Sequence, residues 1–318
     1  MHVFIAGAAG AVGHTLIPTL VAEGHTVTGT TRSDTKAETL RALGAHPAVM
    51  DGLDRASVMR AVTAAAPDAI VHQMTALSGD LDLRNPDKAF AVTNRLRTEG
   101  TEHLLAAAEA AGVRRFVAQS FAGWPYARTG GFVKSESDPL DPDPPRGIRE
   151  THAAIRRLEA LVTGAGGVVL RYGGFYGPGT GLAPGGDQFE MIRGRKFPLI
   201  GDGGGMWSFA HTEDVATATI AALERGGAGE IYNVCDDDPA PIREWLPTLA
   251  RTLGARPPRY LPAWLARIVA SPATIVMMTE ARGASNAKAK AELDWTPAWP
   301  SWREGFAALA AAPVPVAA

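Results

Sequence analysis

The sequence has very little of what defines several protein classes. Its 318 residues include one cysteine, Cys235, so the chain cannot form an internal disulfide or a cysteine-rich zinc or iron–sulfur site. The formal net charge is only −2, which gives neither a basic footprint for nucleic acid nor a polybasic membrane anchor. We therefore expect a globular cytoplasmic protein with no nucleic-acid partner and no membrane partner.

Long apolar runs and metal-binding patterns are also missing. The apolar residues 3–6 run directly into glycines without a basic region before them, so we expect no signal peptide. The most apolar later stretch, residues 261–278, is broken by two prolines and an arginine and is too short for a membrane span. No His-x-x-x-His or His-Glu-x-x-His pattern occurs, so we predict no metal site.

Short apolar runs alternate with helical patterns in the first half of the chain. Predicted strands cover residues 3–6, 26–31, 48–50, 69–72, 115–119 and 168–171, and predicted helices cover 12–23, 36–43, 55–66, 98–111 and 150–162. This alternation predicts βαβ units, hence an α/β fold with a Rossmann-type doubly wound parallel sheet and a smaller C-terminal substrate-binding lobe. We assign residues 1–171 and about 212–236 to the nucleotide-binding domain, and residues 172–211 and 237–318 to the lobe.

The strongest local signal is the glycine pattern Gly7-Ala8-Ala9-Gly10-Ala11-Val12-Gly13. It follows the first strand and opens a helix, where glycines allow close approach and the helix N-terminus offers unpaired N–H groups. In this context it predicts pyrophosphate binding at Gly7, Ala9, Gly10, Ala11 and Val12. The alternative is an ordinary glycine-rich turn.

The end of the second strand indicates which dinucleotide is preferred. An acidic residue there bonds the ribose 2′-hydroxyl of NAD, whereas an arginine accepts the 2′-phosphate of NADP. Thr31 fills the acidic place and is followed by Arg32 and Ser33, so we predict that NADP(H) is preferred over NAD(H). The alternative for Arg32 is a solvated loop charge. After the third strand, Asp51 and Gly52 are predicted to face the adenine.

A series of motifs continues along nearly the whole chain. They stand at residues 71–75 (VHQMT), 100–105 (GTEHLL), 115–120 (RFVAQS), 170–172 (LRY), 176–179 (YGPG), 201–203 (GDG), 209–215 (FAHTEDV), 231–234 (IYNV) and 285–297. With the glycine loop, this set resembles the extended short-chain dehydrogenase/reductase superfamily, the NAD-dependent epimerases and dehydratases. The resemblance implies further cofactor contacts at Met74, Ser120 and Gly173, a small-molecule substrate, and a homodimer formed through the helices at 98–111 and 150–162.

The residues that the family uses for chemistry differ in this chain. Members carry a Tyr-x-x-x-Lys pair one helical turn apart, in which the lysine lowers the tyrosine pKa and the tyrosine exchanges a proton with the substrate oxygen. Aligning Glu159 with the family's glutamate puts Thr151 at the tyrosine place and Ile155 at the lysine place. No other Tyr-x-x-x-Lys occurs, so the chain resembles an atypical member.

Two further family positions are also changed. The serine or threonine that follows the fifth strand in the family falls at Phe121, with Ser120 one residue earlier, and Arg97 stands where many members have a structural asparagine. The glycine loop is intact. The resemblance therefore implies a retained cofactor site beside an altered reaction centre.

Several side chains are candidates for the lost proton donor. Tyr126 follows Ser120 at the mouth of the predicted cleft and is either a replacement donor or part of an aromatic wall, since substrate pockets are mostly apolar and aromatic. Tyr176 is either a donor or a structural turn aromatic, and Ser120 is a candidate to bond a substrate oxygen. The predicted substrate contacts are Phe121, Trp124, Tyr126, Thr151 and Trp207.

Three functions stay open on this reasoning. The first is an NADPH-dependent reductase or dehydrogenase of a small carbonyl or hydroxyl compound with a non-standard proton donor, since hydride transfer is the chemistry of the cofactor. The second is an epimerase, dehydratase or lyase that keeps its NADP bound. The third is a non-catalytic NADP(H) sensor. The missing pair favours the sensor, the intact substrate-lobe motifs favour an enzyme, and we predict the reductase.

Overall fold

The computed structural model describes residues 1–77 and 84–311. The strands are β1 (His2–Ala6), β2 (Thr26–Thr31), β3 (His46–Val49), β4 (Ala69–His72), β5 (Arg115–Phe121), β6 (Val133–Lys134), β7 (Val168–Tyr172), β8 (Gly174–Tyr176), β9 (Leu199–Ile200), β10 (Met206–Trp207), β11 (Phe209–His211), β12 (Ile231–Val234), β13 (Ala240–Pro241), β14 (Tyr260–Leu261) and β15 (Gly283–Ala284). The helices are α1 (Ala11–Ala22), α2 (Asp34–Ala42), α3 (Arg55–Ala65), α4 (Pro86–Ala89), α5 (Ala91–Arg95), α6 (Thr101–Ala110), α7 (Arg149–Gly164), α8 (Asp187–Arg193), α9 (Thr212–Arg225), α10 (Ile242–Thr252), α11 (Ala263–Val269), α12 (Pro272–Thr279), α13 (Ala287–Leu293) and α14 (Trp302–Ala311).

Seven parallel strands form the central sheet, in the order β12-β7-β5-β4-β1-β2-β3. The α/β, doubly wound fold is therefore confirmed. From β1 the chain continues to β2 on one side, and β4 pairs on the other, so the direction of winding reverses between β1 and β4. Ligands of such sheets bind beyond the carboxyl ends of the strands at this reversal.

Both faces of the sheet are covered, as its apolar strands require. One face packs against α1, α9 and α13 through a core that includes Leu16, Ile17 and Val215. The other face packs against α3, α6 and α7 through a core that includes Val58 and Leu158. Every residue of β4 is buried, because this strand lies at the centre of the sheet.

The helix predicted at residues 98–111 has a more complex start. A π-helical turn, Leu96–Gly100, joins α5 to α6, and α6 begins at Thr101. Such turns widen a helix by one residue and commonly occur at functional sites. This one packs against α7, the helix that carries the altered family positions.

The C-terminal part of the chain builds a second hydrophobic core. Tyr176, Phe209, Trp245, Trp302 and Phe306 are its largest buried aromatic side chains, and short two-stranded pairs such as β8–β11 and β10–β13 enclose it. Helix α14 is held there because its first backbone N–H donates to a buried carboxylate. The C-terminal part of the chain thus has its own core beside the sheet.

Candidate active site

The glycine loop has the shape that a pyrophosphate requires. Gly7 has a φ of +88°, and a Cβ there would lie 2.7 Å from the Gln73 carbonyl carbon, so β1 and β4 end against each other. A Cβ at Gly13 would lie 1.7 Å from the Ala8 carbonyl oxygen. At Gly10 a Cβ would meet only the Gly7 carbonyl oxygen, at 3.5 Å, and Gly10 caps α1 without a side-chain hydrogen bond. The open cradle and the free N–H groups of α1 fit a dinucleotide.

The turn after β2 leaves one cation exposed. The Thr31 hydroxyl is buried and accepts a hydrogen bond from the Ser33 backbone N–H at 3.1 Å, so it holds the turn. Arg32 is exposed and, within the residues that the structure describes, takes part in no hydrogen bond or ion pair. Ser33 caps α2 without using its hydroxyl for the cap. Arg32 and Ser33 therefore present free donors at the place where a ribose 2′-substituent lies in this fold.

The residues predicted to face the adenine lie together at the carboxyl ends of β3 and β4. Asp51 is exposed, and its carboxylate accepts the Leu53 N–H at 3.0 Å. A Cβ at Gly52 would lie 2.4 Å from the Met74 sulfur, so glycine is needed for these two loops to meet. Asp54 caps α3 by accepting the Ala56 N–H at 2.9 Å.

A buried polar network runs below the predicted reaction centre. The Ser120 hydroxyl donates to the Glu159 carboxylate at 2.7 Å, and Arg171 donates to both Glu159 oxygens at 2.7 and 2.6 Å. The third Arg171 nitrogen donates to the Tyr126 hydroxyl at 2.9 Å, which itself donates to the Asn233 side-chain oxygen at 2.7 Å. All five side chains are buried. The network joins β5, β7, β12 and α7, so it is part of the framework.

This geometry corrects the role expected of Tyr126. Its side chain is fully buried and its hydroxyl already makes two hydrogen bonds, so it neither walls the cleft nor reaches a substrate. Burial raises the pKa of Tyr126 to about 12, although the neighbouring Arg171 guanidinium opposes the shift. The sequence pattern missed this because Arg171 is distant from Tyr126 along the chain and meets it only through the parallel sheet.

Tyr176 is likewise a core residue. It is fully buried, and its ring packs edge-on against Phe209, His211 and Phe306 at centroid distances of 6.3, 5.1 and 5.4 Å. A Cβ at Gly305 would lie 2.1 Å from its ring, so α14 closes over it. Burial raises the pKa of the hydroxyl strongly. The structural alternative for Tyr176 therefore accounts for its position, and the geometry gives no support to proton transfer.

The places of the family's tyrosine and lysine hold groups that cannot do that chemistry. Thr151 is buried; its N–H and its hydroxyl both donate to the Asp87 carboxylate at 2.9 Å, and the hydroxyl accepts from the Asn94 amide at 3.1 Å. Ile155, one turn further along α7, is completely buried. Thr151 thus anchors α7 to α4 and α5, and its hydroxyl is occupied. Sequence reasoning did not find Asp87 or Asn94, since no motif marks them.

Two of the predicted substrate contacts, Phe121 and Trp124, come together. The rings of Phe121 and Trp124 lie 5.5 Å apart at the end of β5, and Trp124 lines a narrow groove with His152 and Met277. The indole N–H of Trp207 donates to the Met277 carbonyl oxygen at 3.3 Å, on the lobe side of this groove. The groove therefore lies between α12 and the segment that leads from β5 into α7, and its lining is largely apolar.

Gly173 has a packing reason for being glycine. A Cβ there would lie 2.8 Å from the Ser208 carbonyl oxygen, and its N–H donates to the Val234 carbonyl oxygen at 3.0 Å. These contacts fix the path of the chain from β7 into the lobe. A cofactor contact at Gly173 stays a prediction.

The altered reaction centre stands in a chain that matches a known family over most of its length. The model of the NAD-dependent epimerase/dehydratase family matches residues 3–235. The chain belongs to this family. A "3-diazoavenalumate denitrifying reductase" of Streptomyces is 46% identical over 96% of this chain and 99% of its own length. A ketoreductase of a farnesylated dihydroquinoline oxide from Stigmatella aurantiaca is 30% identical over 80% of this chain and 74% of its own. The chain is accordingly an oxidoreductase of the NAD(P)-dependent epimerase/dehydratase type.

Solved structures give the same fold. The UDP-glucose 4-epimerase of Thermotoga maritima, determined with UDP-glucose, superposes with a TM-score of 0.78 at 20% identity over 98% of each chain. A dTDP-glucose 4,6-dehydratase of Streptomyces venezuelae, determined with NAD, superposes with a TM-score of 0.76 at 22% identity, over 98% of this chain and 96% of its own. At these identities the likeness concerns the fold.

Two features away from the glycine loop concern the expectations about a membrane span and a metal site. Within residues 1–77 and 84–311, no helix is both long and apolar enough to cross a membrane. The ligand-type atoms of Glu23, His25 and Glu224 lie within 4.8 Å of one another. This group stands at the ends of α1 and α9 that point away from the glycine loop, so it takes no part in the cleft.

Proposed function

We propose that this chain is a reductase that uses NADPH to remove the nitrogen of a small aryl diazo compound. The observation that carries the proposal is the pair Thr151 and Ile155, an occupied hydroxyl and an alkyl group at the places of the family's proton donor and its lysine. The relative at 46% identity is named as a denitrifying reductase of a diazo compound, and the alignment spans nearly all of both chains.

The two substrate classes differ in what they need from the protein. When bound, a reduced nicotinamide supplies a hydride, which is one hydrogen with two electrons. A ketone that takes up a hydride becomes an alkoxide and needs a proton from a positioned acid, a contribution of about 10²- to 10⁴-fold in rate. An aryl diazonium cation that takes up a hydride at its terminal nitrogen becomes a neutral diazene. The diazene then loses N2, and its hydrogen stays on the ring carbon.

The diazonium reaction balances without any acid. One aryl diazonium and one NADPH give one arene, one N2 and one NADP⁺, and no proton is taken up or released. A chain that performs it has no use for the Tyr-x-x-x-Lys pair, so Thr151 and Ile155 are free to serve packing. This is why the altered helix supports a cationic nitrogen acceptor rather than a carbonyl.

The aromatic side chains at the end of β5 suit such a substrate. Phe121 and Trp124 present adjacent aromatic rings at the end of β5, and Met277 faces Trp124 from the lobe. Aromatic faces stack on an aryl ring and attract a cation by their quadrupole. We expect these side chains to orient the ring while the cationic nitrogen points towards the carboxyl ends of β1 and β4.

The test is gas release under argon. Purified protein is mixed with NADPH and a carboxybenzenediazonium salt, and N2 is measured by mass spectrometry while NADPH oxidation is followed by absorbance. We expect one N2 and one NADP⁺ for each arene formed, above the spontaneous decomposition in heat-inactivated controls. Reduction of a ketone panel without enzyme-dependent N2 release would contradict the diazo assignment and favour a ketoreductase like the relative from Stigmatella.

Preference for NADP(H) is the second part of the proposal. It rests on the exposed Arg32 and the unused Ser33 hydroxyl at the end of β2. A charged hydrogen bond contributes about 1.5–3 kcal/mol, so Arg32→Ala should weaken NADPH roughly 10- to 100-fold and NADH much less. Arg41→Ala, on the exposed face of α2 beside Glu38, is the control. Equal losses for both cofactors would contradict the preference.

The proposal also includes a homodimer and a cytoplasmic location. A homodimer would form through α6 and α7, whose outer faces already share the ion pair of Glu102 and Arg157 at 2.8 Å. Light scattering on the eluted protein measures the oligomeric state directly, and a monomer at micromolar concentration would contradict it.

A further inference from the structure

A buried guanidinium near the altered family positions has a nitrogen with no partner in the described part of the chain. Arg97 lies in the π-helical turn between α5 and α6, and only 7% of it is exposed. Its Nη1 atom is buried and has no hydrogen-bond partner among the described residues. Burial lowers the pKa of Arg97 to about 10, and attraction to Glu159 opposes the shift. No ion pair within 4.0 Å joins the two groups in the described part of the chain.

The guanidinium lies at the sheet edge that a dinucleotide crosses. The π-helical turn packs against α7, which carries Ile155 and Glu159. On its other side is His72, the last residue of β4, whose pKa falls to about 4 through burial and, to a smaller extent, through the charge of Arg97. The next turn reaches the adenine-side loops, because a Cβ at Gly100 would lie 3.3 Å from Met74. Arg97 is therefore beside the carboxyl ends of β4 and β5.

A second unpartnered atom lies one turn earlier on the same helix. Asn94 is 9% exposed; its amide donates to Thr151, while its side-chain oxygen has no partner among the described residues. A buried donor and a buried acceptor thus stand three residues apart, on the face that packs against α7. Buried polar groups are nearly always hydrogen-bonded, so each exception needs an explanation.

A ligand is the explanation that fits both atoms. An unpaired buried charge strongly destabilises a folded protein, so a chain keeps one where a bound group completes it. We infer that Arg97 supplies the positive charge that Ile155 cannot, and that it holds the hydroxyl oxygens of the nicotinamide ribose. The Asn94 oxygen accepts from the same hydroxyls. This inference rests on the proposed use of a nicotinamide dinucleotide.

The test compares a whole dinucleotide with its adenosine half. Dissociation constants of NADPH and of 2′,5′-ADP, which has no nicotinamide ribose, are measured by calorimetry for the wild type, Arg97→Met and Arg97→Lys. We expect Arg97→Met to bind NADPH about 10- to 100-fold more weakly, the range of a hydrogen bond to a charged group, and 2′,5′-ADP within twofold of wild type. Arg97→Lys keeps the charge and should lose less than Arg97→Met.

A melting temperature separates binding from damage to the fold. Without cofactor, Arg97→Met should melt at or above the wild-type temperature, because an unpaired buried charge has been replaced by an apolar side chain of similar length. Arg95→Met is the matched control: Arg95 lies two residues earlier, is exposed, and pairs with Glu99 at 2.8 Å. It should leave both dissociation constants unchanged.

The outcomes distinguish the inference from the proposal beneath it. Unchanged NADPH binding in Arg97→Met would overturn the inference and leave a buried water as the partner of Arg97. Equal weakening of NADPH and 2′,5′-ADP would also overturn it, since the adenosine half does not reach Arg97. Failure of the wild type to bind either ligand would instead overturn the proposed function, and the inference would fall with it.

Discussion

The glycine loop and helix α7 both lie near the carboxyl ends of the central strands, but their residues meet different structural demands. In the loop, backbone meets backbone: a side chain at Gly7 or Gly13 would overlap main-chain atoms of the neighbouring segments. In α7, the two positions that the family uses for chemistry carry other side chains, and the helix still packs. The contrast shows that the fold itself requires the loop glycines, whereas it does not require a tyrosine and a lysine at positions 151 and 155.

The buried network around Glu159 and Arg171, which ties α7 to the sheet, is expected to be the most sensitive to mutation. Arg171→Met leaves the buried Glu159 carboxylate without its two closest donors. Removing one partner of a buried ion pair costs about 3–5 kcal/mol, so the free energy of unfolding should fall by that amount. Arg157→Met breaks an exposed pair with Glu102 and should cost less than about 1 kcal/mol. Urea titration measures both, and similar losses would contradict the assignment of Glu159 and Arg171 to the framework.

The glycine loop separates packing from ligand binding within one motif. Gly13→Ala forces a Cβ against the Ala8 carbonyl oxygen and should lower the free energy of unfolding by about 3 kcal/mol. Gly10→Ala meets only one atom, at 3.5 Å, so its stability should change by less than about 1 kcal/mol. It should nevertheless weaken NADPH, since its methyl group occupies the cradle. A Gly10→Ala protein with wild-type affinity would show that the pyrophosphate lies elsewhere.

How far the sequence predicts this molecule follows the same division. The strands of the first half and the glycine loop depend on neighbours along the chain, and the structure has them close to where the pattern placed them. Tyr126 and Tyr176 could not be assigned in that way. Their neighbours, such as Arg171 and Gly305, lie far away along the chain. Because both tyrosines lie close to motifs in the sequence, we expected them to be exposed, and the structure shows that they are buried.

The two cores should also differ in how pH affects them. At the edge of the lobe core, where Asp236 accepts the first N–H of α14, burial raises the pKa of Asp236 to about 7, above its unfolded value near 4. The stability that Asp236 contributes is therefore complete below pH 4 and is lost as pH rises through 7. In the sheet, burial lowers the pKa of His72 to about 4, so its contribution is complete above pH 6.5 and is lost as pH falls through 4. A rise in pH thus lowers the stability that Asp236 contributes and raises the stability that His72 contributes.

Paired variants measure this difference. Subtracting the free energy of unfolding of Asp236→Asn from that of the wild type should give a value that falls by about 3 kcal/mol between pH 4 and 7. The same subtraction for His72→Gln should rise over the same interval. Slopes of the same sign would show that one of the two side chains is exposed to solvent in the folded protein.

Tyr126→Phe is the substitution from which we expect the smallest change in kcat, and it decides the most about the reaction. The substitution leaves the buried Asn233 oxygen and one buried Arg171 nitrogen without this partner, which should lower the free energy of unfolding by about 1–3 kcal/mol. Loss of a general acid would reduce kcat about 10²- to 10⁴-fold, and we expect less than a threefold change. Phe121→Ala, beside Trp124 at the end of β5, should instead raise KM for the aryl substrate. If Tyr126→Phe abolishes turnover while the protein stays folded, then the Tyr126 hydroxyl reaches the substrate after a rearrangement of the network. Tyr126 would then take the place of the family's proton donor, which α7 lacks.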